Sequence, residues 1–539
     1  MIFGRSTGKH DIIEKNYTLT QQTVDFRKAI SSLLRDITKT NGNRIDIMII
    51  YTDGHTYLYE CEKTARIFFP LEKIAFAQAP SDGDSDPRRV FTREAPSAGG
   101  TEYYCKAEID GNAAEYSFVM PPHEADAGIP DGEKQLAKAM VHVFSELTGT
   151  VPPWGILTGV RPSKLMRRLA DRKGDEKALE IFRDEYLVSD AKSRLALSVA
   201  NAQKRAVSLN TPDSFSLYVS IPFCPTRCSY CSFVSHSIAS AKKLIPDYVR
   251  LLCREIEYSA RLANEAGLRL ETVYIGGGTP TSFSAEDLKK ITDTLASSFD
   301  MKSAREFTVE AGRPDTVDRE KLTVLKNAGV TRISINPQTF SDEVLKKIGR
   351  PHTGADAVEK YLLAREIGFD SINMDFIAGL TGDTYESFCR SIEKAVELSP
   401  ENITVHTLAL KRSASLVTEH ETDSVCRDTV RMTDFAQKLL TGAGYEPYYM
   451  YRQSKSVGNL ENIGWCKPGT ESLYNIYMME ELHSVVACGG GAVTKLTSFG
   501  GEKVERIYNF KYPYEYINRF DELLERKAQS GLRITEESK

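Results

Sequence analysis

From about residue 213 the apolar positions fall into short runs separated by longer amphipathic stretches. The runs at 217–221, 272–275, 306–310, 332–335, 371–377 and 403–408 are short and rich in Val, Ile, Thr and aromatic residues, the signature of buried strands. Between them, 242–262, 285–297, 319–328, 355–367 and 385–398 repeat apolar residues at helical spacing. Six such βα units predict a parallel sheet, either an incomplete barrel or an open doubly wound sheet. In a barrel, reactive groups belong at the C-terminal ends of the strands.

The flanks have a different rhythm. Residues 1–150 predict a separate N-terminal α+β domain: a polar, helix-like start, then strands at 45–51 and 56–61 paired across Asp53-Gly54. An exposed acidic loop at 80–87 follows, then strands at 102–109 and 114–120 joined through Asp110-Gly111-Asn112. A helix over 133–147 carries Leu136, Met140, Val143, Phe144 and Leu147 on one face. Nothing here forms a catalytic constellation, and His123 and His142 read as surface or packing residues. Residues 151–212 predict a largely helical connector. Its first part, 151–162, gathers turn formers with Trp154 and Arg161. A packed connector is the commoner use of such a stretch; the alternative is a substrate-edge loop in which Arg161 meets an anionic group. Residues 213–411 hold the βα units. From 412 to 539 a C-terminal substrate-covering domain is expected, with an aromatic run at 445–451 and Gly489-Gly490-Gly491.

Composition narrows the class. At 539 residues two or three domains are expected. With 41% hydrophobic and 27% charged residues and a net charge of -5, the chain reads as a globular protein and not as a dedicated nucleic-acid binder. No apolar run reaches the roughly 18 residues that span a bilayer, and the N-terminus lacks the apolar core of a signal peptide. Seven of the ten cysteines (Cys61, Cys105, Cys253, Cys389, Cys426, Cys466, Cys488) are scattered, as reduced thiols in a cytoplasmic protein would be.

The other three, Cys224, Cys228 and Cys231, sit on one loop leaving the first strand, with gaps of three residues and then two. Thiolates this close in sequence suit one soft metal centre. Structural zinc wants four ligands, usually as two pairs, and no second pair accompanies these. An iron–sulfur cube on three thiolates would leave one iron open. Beyond the second strand lies Gly276-Gly277-Gly278-Thr279-Pro280; at the end of the third, Glu310; after the fourth, Asn336-Pro337-Gln338 and then Gly349-Arg350-Pro351; on the fifth, Asp375 through Ala378 and Gly379. Each polar or glycine-rich feature falls near a strand's C-terminal end.

These features resemble the radical S-adenosylmethionine (SAM) enzymes, whose cysteine triplet matches Cys224, Cys228 and Cys231 and whose glycine motif matches 276–280. The segment from Leu217 to Cys224 is similar to the oxygen-independent coproporphyrinogen III oxidase branch. The whole chain, with its extra N-terminal domain and the 153–162 stretch, most resembles the HemZ-type coproporphyrinogen dehydrogenase-like proteins. The resemblance implies an incomplete parallel (β/α)6 barrel of radical SAM type with a capping region. It implies a [4Fe–4S] cluster on the three cysteines and SAM contacted by Gly277, Gly278, Thr279, Glu310, Gln338, Arg350, Asp375, Ala378 and Gly379. Tyr218 would lie near cluster and sulfonium, as the one residue given a catalytic role, and Phe223, Tyr230 and Phe233 would pack the loop or shield it from water. The implied chemistry is reductive cleavage of SAM to a 5′-deoxyadenosyl radical, hydrogen abstraction from a propionate side chain of a reduced tetrapyrrole, and loss of carbon dioxide and an electron to leave a vinyl group. A low-potential donor such as a flavodoxin or ferredoxin is implied as partner.

Two positions depart from the oxidase pattern: Ser220 stands where that enzyme has histidine, and Phe233 where it has a further cysteine. The stretch from Cys231 to His236 is closer to the haem-chaperone branch, HemW. There, a C-terminal histidine–asparagine motif matches Tyr474-Asn475, with tyrosine in the histidine's place; tyrosine can also ligate haem iron. His406 and His483 are further candidate haem ligands, and Arg412 and Arg452 candidate partners for substrate carboxylates. A radical SAM enzyme acting on another tetrapyrrole is the remaining alternative.

Overall fold

The computed structural model describes residues 47–70, 72–78, 87–121, 131–159, 161–231, 235–409, 419–453, 456–499, 501 and 503–532, with backbone alone over 419–427. The helix-like start, nearly all of the acidic loop, His123, Phe233 and Arg412 lie outside the described residues. The chain divides into two compact units, with Val151 opening the main run of the second.

In the first unit, β1 (Ile47–Asp53), β2 (Lys73–Ala77), β3 (Arg88–Ser97), β4 (Gly100–Ile109) and β5 (Asn112–Met120) form a sheet in the order β2-β1-β3-β4-β5. β3, β4 and β5 are antiparallel. The β4–β5 hairpin turns at Asp110 and Gly111, with φ of 52° and 85°, the left-handed pair that matches strand twist in a two-residue turn. β1, however, pairs in parallel with both β2 and β3. Parallel neighbours need a crossover, and this corrects the reading of 56–61 as a strand. Those residues enter a helix, Leu58–Phe68, that carries the chain from β1 to β2. Its buried residues, Glu60, Cys61, Thr64 and Ala65, recur on one helical face, a period that extends past the six residues read as a strand. The helix Asp131–Thr148 adds Leu136, Met140, Val143 and Phe144 to the core that holds Met48, Ile50, Val90 and Cys105. His142 is exposed and stacks on Tyr116, 4.4 Å between ring centres, a packing role.

The second unit begins with the tryptophan stretch. Trp154 is fully buried and its Nε1 donates to Glu461 Oε2 at 2.6 Å, while Lys192 Nζ lies 2.6 Å from the other oxygen of that carboxylate. Arg452 donates to the carbonyls of Leu157 and Asn459 and lies 5.6 Å from the Trp154 ring centre. Thus Trp154, Ile156 and Leu157 are packed, and Arg452, spent on backbone carbonyls, is not placed as a partner for substrate carboxylates. Helices Pro162–Lys173, Asp175–Asp184, Asp190–Ala202 and Lys204–Leu209 follow.

Then come β6 (Ser214–Ile221), β7 (Phe223–Cys224), β8 (His236–Ser237), β9 (Arg269–Gly277), β10 (Glu306–Glu310), β11 (Arg332–Ser334), β12 (Ser371–Ala378), β13 (Asn402–Thr407), β14 (Glu446–Arg452), β15 (Glu461–Cys466), β16 (Ser484–Cys488), β17 (Val493–Thr497) and β18 (Val504–Tyr508). Apart from the β7–β8 ribbon, they form one 11-stranded sheet in the order β14-β15-β13-β12-β11-β10-β9-β6-β16-β17-β18. The six strands read from the sequence are all present and mutually parallel in their sheet order. Near-continuous burial along β6 and β12 explains why they read as short apolar runs. The crossover helices start where side chains cap them: Ser284, Asp318 and Thr384 each accept from a backbone amide three residues on, and Thr353 forms a capping box with Asp356.

The chain after 412 does not stand apart from this sheet. β14 and β15 extend one side of it in antiparallel fashion, while β16 lies parallel to β6 on the other. Behind β6 and β16 sits a fully buried pair: Lys527 Nζ, on the helix Phe520–Ser530, is 2.7 Å from Glu255 Oε1, on the helix Ile245–Glu265. Glu255 also accepts from Gly489 N (2.7 Å), Asn509 Nδ2 (2.8 Å) and Tyr516 OH (2.6 Å). Removing one partner of a buried pair leaves an uncompensated charge, so Lys527→Met is expected to destabilise the second unit by roughly 3–5 kcal/mol. Urea denaturation would show this as a lowered midpoint, and adding Glu255→Gln should recover part of the loss; a single variant as stable as the parent would contradict the role given to the pair.

Candidate functional site

Seven parallel strands, counting β16, bring their C-terminal ends to one side of the sheet. β6 delivers the cysteine loop there. Gly278 N donates to Ile221 O and Thr279 N to Phe223 O, both at 2.8 Å, so the glycine segment after β9 is laced to the loop's first turn. A Cβ on Gly278 would meet Phe223 O at 2.5 Å, which is why no larger residue fits. Thr279 Oγ1 approaches Cys224 Sγ at 3.5 Å. Downstream, His236 N donates to Pro222 O (2.9 Å), closing the β7–β8 ribbon across the loop. Its far side is held by Arg313, which donates to Thr226 O (3.0 Å), and by Ser229 N, which donates to Ile348 O (3.1 Å). Cys231 N donates to Cys228 O at 3.2 Å, turning the chain between the last two thiols.

Cys228 is buried; Cys224 and Cys231 are half-buried. Among the described residues no three His, Cys, Asp or Glu side chains converge on one point, so the loop fixes the backbone carrying the thiols and does not itself gather the three sulfurs. The donor set still suits an iron–sulfur cluster: three thiols on one clamped loop, without the carboxylates a harder metal prefers. Beside it lie two buried polar atoms lacking a partner, Asn336 Oδ1 and Arg350 Nε. Arg350 is otherwise engaged, with Nη1 donating to Asn336 O (2.8 Å) and Nη2 to Tyr230 OH (2.9 Å). The site therefore offers soft donors and unused polar capacity side by side.

The next strand ends bring the other candidates together. Tyr274 OH donates to Glu310 Oε1 at 2.5 Å. Enclosure and the nearby Asp375 push Glu310 up to about 7, against the lowering pull of that hydrogen bond. Asp375 goes the other way: burial alone would raise it, but His406, Asn373 and Thr404 hold it below its ordinary value. Asn373 Nδ2 donates to Asp375 Oδ1 at 2.7 Å, and His406 Nε2 is 3.8 Å from Oδ2. Gln338 is bridged to β12, its N donating to Asp375 O at 2.9 Å, and it holds a φ of +70°. That conformation is uncommon outside glycine and concentrates at functional sites. Ala378 O accepts from Leu408 N at 3.0 Å, and Gly379 follows at a φ of +84°. Tyr218, half-buried, stands in register with Tyr274, ring centres 6.2 Å apart. Glu310, Gln338, Asp375, Ala378, Gly379 and Tyr218 thus share the strand-end face with the cysteine loop.

Other candidates are absorbed by packing. Phe223 is fully buried against Tyr248 and Phe283, so it belongs to the core and not to a shield. Tyr230 is half-buried and accepts from Arg350. Arg161 pairs with Glu481, Nη2 to Oε1 at 2.8 Å, which answers its charge within the protein. His483 is buried between Ser216 Oγ (2.8 Å) and Asn210 Oδ1 (2.7 Å), and burial drives its imidazole down to about 3, a neutral packed ring. His406 remains on the strand-end face, 3.4 Å from Tyr451 OH. Sequence reasoning missed Tyr274, although its place two residues before the glycine segment, on the same face as Tyr218, was a usable signal. It also missed the Gly489–Gly491 loop as a neighbour of the end of β6, from which the cysteine loop leaves: Ser220 Oγ donates to Gly490 O at 2.9 Å.

Residues 218–395 match the family model described as the Radical SAM superfamily. The oxygen-independent coproporphyrinogen-III oxidase-like protein HemZ of Bacillus subtilis is 39% identical over 406 residues, covering 74% of this chain and 81% of that protein. This chain belongs to the radical SAM superfamily, in its oxygen-independent coproporphyrinogen-III oxidase-like branch. The heme chaperone HemW of Bacillus subtilis, another relative of this radical SAM protein, is 42% identical over 334 residues, 59% of this chain and 83% of that one. Among solved structures, coproporphyrinogen III oxidase (HemN) from Escherichia coli aligns with a TM-score of 0.45 and 25% identity over 60% of this chain and 72% of that one. None of the described helices is long and apolar enough to cross a membrane.

The lacing of the glycine segment to the loop is directly testable. Gly278→Ala should cost about 1–3 kcal/mol, the usual penalty of overpacking, because the clashing atom is backbone. Gly442→Ala, with no atom within 4 Å of the added carbon, is the control. Equal denaturation midpoints for the two variants would refute the close approach.

Proposed function

We propose that this radical SAM protein is an oxidoreductase that carries out oxygen-independent oxidative decarboxylation of coproporphyrinogen III to protoporphyrinogen IX in haem biosynthesis. The observation that carries the reading is the alignment of cysteine loop, glycine segment, Glu310, Gln338 and Asp375 at successive strand ends, in a chain that shares 39% identity over 406 residues with a coproporphyrinogen-III oxidase-like relative. Cys224, Cys228 and Cys231 would hold a [4Fe–4S] cluster. Gly277, Gly278 and Thr279 would present backbone and hydroxyl to the amino-acid part of SAM. Glu310 would take the ribose, with Gln338, Arg350 and Asp375 as further polar contacts, Ala378 and Gly379 beside the adenine, and Tyr218 near the sulfonium. When bound, cluster and SAM supply one-electron chemistry able to remove a hydrogen atom from an unactivated carbon. The protein's part is to orient these groups and keep water away, for which the clamped loop and tyrosine-lined strand ends are suited.

We take the parallel strands to curl into the incomplete (β/α)6 barrel of this superfamily, residues 1–150 as a distinct domain, 151–212 as the connector, 213–411 as the barrel and 412–539 as the part that covers a flat tetrapyrrole. A cytoplasmic setting and a flavodoxin- or ferredoxin-like electron donor complete the reading. Haem delivery is a second reading, favoured by the 42% identity to a heme chaperone; action on another tetrapyrrole is a third. Against haem stands the burial of Tyr474 and the use of His483 in packing.

The test is anaerobic reconstitution with iron and sulfide, followed by SAM, a reductant and coproporphyrinogen III. Protoporphyrinogen, 5′-deoxyadenosine and methionine are the expected products. SAM cleavage without decarboxylation would remove the substrate assignment; stable haem binding without product would favour delivery. Cys228→Ala should abolish the cluster's visible absorption and bound iron, and an unchanged spectrum would overturn the ligand assignment.

A further inference from the structure

No motif marks Tyr274, yet its surroundings are specific. It lies on β9, in parallel register with Tyr218 of β6, and its hydroxyl donates to Glu310 Oε1 at 2.5 Å. Its ring stacks on Tyr474, 4.4 Å between centres and 20° between planes, with Tyr218 6.2 Å away on β6. The glycine segment makes room for the pair. A Cβ on Gly276 would meet Tyr274 Cε1 at 2.8 Å and the Glu310 carboxyl at 3.1 Å. Gly277 supplies a backbone donor to the same carboxylate. An ionised carboxylate has about four acceptor sites, so two donors fix its plane and still leave capacity for a ligand's hydroxyls.

We propose that Tyr274 is a positioning residue that holds the Glu310 carboxylate oriented to accept hydrogen bonds from the vicinal hydroxyls of a nucleoside ribose. The proposal rests on the reading that these strand ends bind SAM. The groups facing Glu310 are Tyr274 and Gly277 N on β9, Tyr218 on β6, Asp375 on β12, His406 on β13 and Tyr474 on the helix Leu473–Glu480. Burial and Asp375 disfavour its charge, while Tyr274, Gly277 and His406 favour it. The ionised carboxylate is the form that accepts from hydroxyls, so affinity should fall as pH is lowered through about 7. Losing the Tyr274 hydroxyl removes one of the groups favouring charge, and the fall should begin at higher pH.

The experiment is calorimetric binding of S-adenosylhomocysteine, an unreactive probe, to the full chain across neutral pH. Tyr274→Phe keeps the stacked ring and should weaken binding by about tenfold, the usual worth of a hydrogen bond to a charged group, with the pH midpoint moved up. Gly276→Ala, which intrudes on the same pair, should reproduce both effects. Glu310→Gln should flatten the pH dependence, and adding Tyr274→Phe to it should cost nothing more. Wild-type affinity and midpoint in Tyr274→Phe, or a loss of equal size in the Glu310→Gln background, would overturn the role of Tyr274. Weakening by Glu310→Gln alone would sink that role and leave the SAM reading standing, whereas no binding by the parent chain would overturn both.

Discussion

A carboxylate with no access to water anchors the frame around the candidate site. Glu255 is fully buried and takes hydrogen bonds from the ammonium of Lys527, the hydroxyl of Tyr516, the amide of Asn509 and the backbone of Gly489. A buried charge is tolerable only when paired and saturated with donors, and these donors come from segments far apart in sequence. One step away, Tyr248 OH accepts from Gly490 N at 2.7 Å and donates to Ser220 O at 2.8 Å. Ser220 immediately precedes Ile221 and the turn into the cysteine loop. The helix Phe520–Ser530 therefore helps set where Cys224 stands, through a network whose members support one another in a low-dielectric interior. This gives the residues after 412 a structural part in the frame that is separate from any covering role.

Parallel pairing does the rest of the positioning. Because crossover helices separate β6, β9, β10, β11, β12 and β13, these strands point one way, and whatever follows them collects on one face. Side chains alternate along a strand, so Tyr218 and Tyr274, in register on neighbouring strands, turn the same way, and Tyr474 from a later helix stacks on them. Gln338, at a φ of +70°, carries the parallel ladder past the end of β11 by pairing with Phe376, accepting from Ile377 N at 3.1 Å while donating to Asp375 O at 2.9 Å.

The central sheet was legible because its strands are buried on both faces and its helices on one, which gives long, clean periods. The cysteine and glycine motifs were legible because spacing along the chain survives without a structure. What escaped detection depended on partners distant in sequence. Residues 56–61 follow a turn signal at Asp53-Gly54 and are rich in aromatic residues, as a hairpin strand would be, and the parallel pairing of β1 with β2 and β3 reveals the crossover helix there. β16 carries nothing that marks it as the neighbour of β6, so the Gly489–Gly491 loop appeared to belong elsewhere. Arg161, among turn formers, and Arg452, beside an aromatic run, looked like anion partners in the sequence; Glu481 answers the first, and carbonyls of Leu157 and Asn459 take up the second.

The same accounting bears on haem delivery against radical catalysis. A haem ligand needs an imidazole or phenol with an uncommitted atom and room on one side. His483 has both nitrogens within 2.8 Å of polar partners and is held neutral by burial. Tyr474, in the position where the chaperones carry histidine, is buried with its ring stacked at 4.4 Å on Tyr274. That stack orders Tyr274, and Tyr274 in turn meets Glu310. Tyrosine at 474 thus places a ring in the buried group that surrounds the Glu310 carboxylate, and packing against Tyr274 takes up the face that an iron ligand would need open.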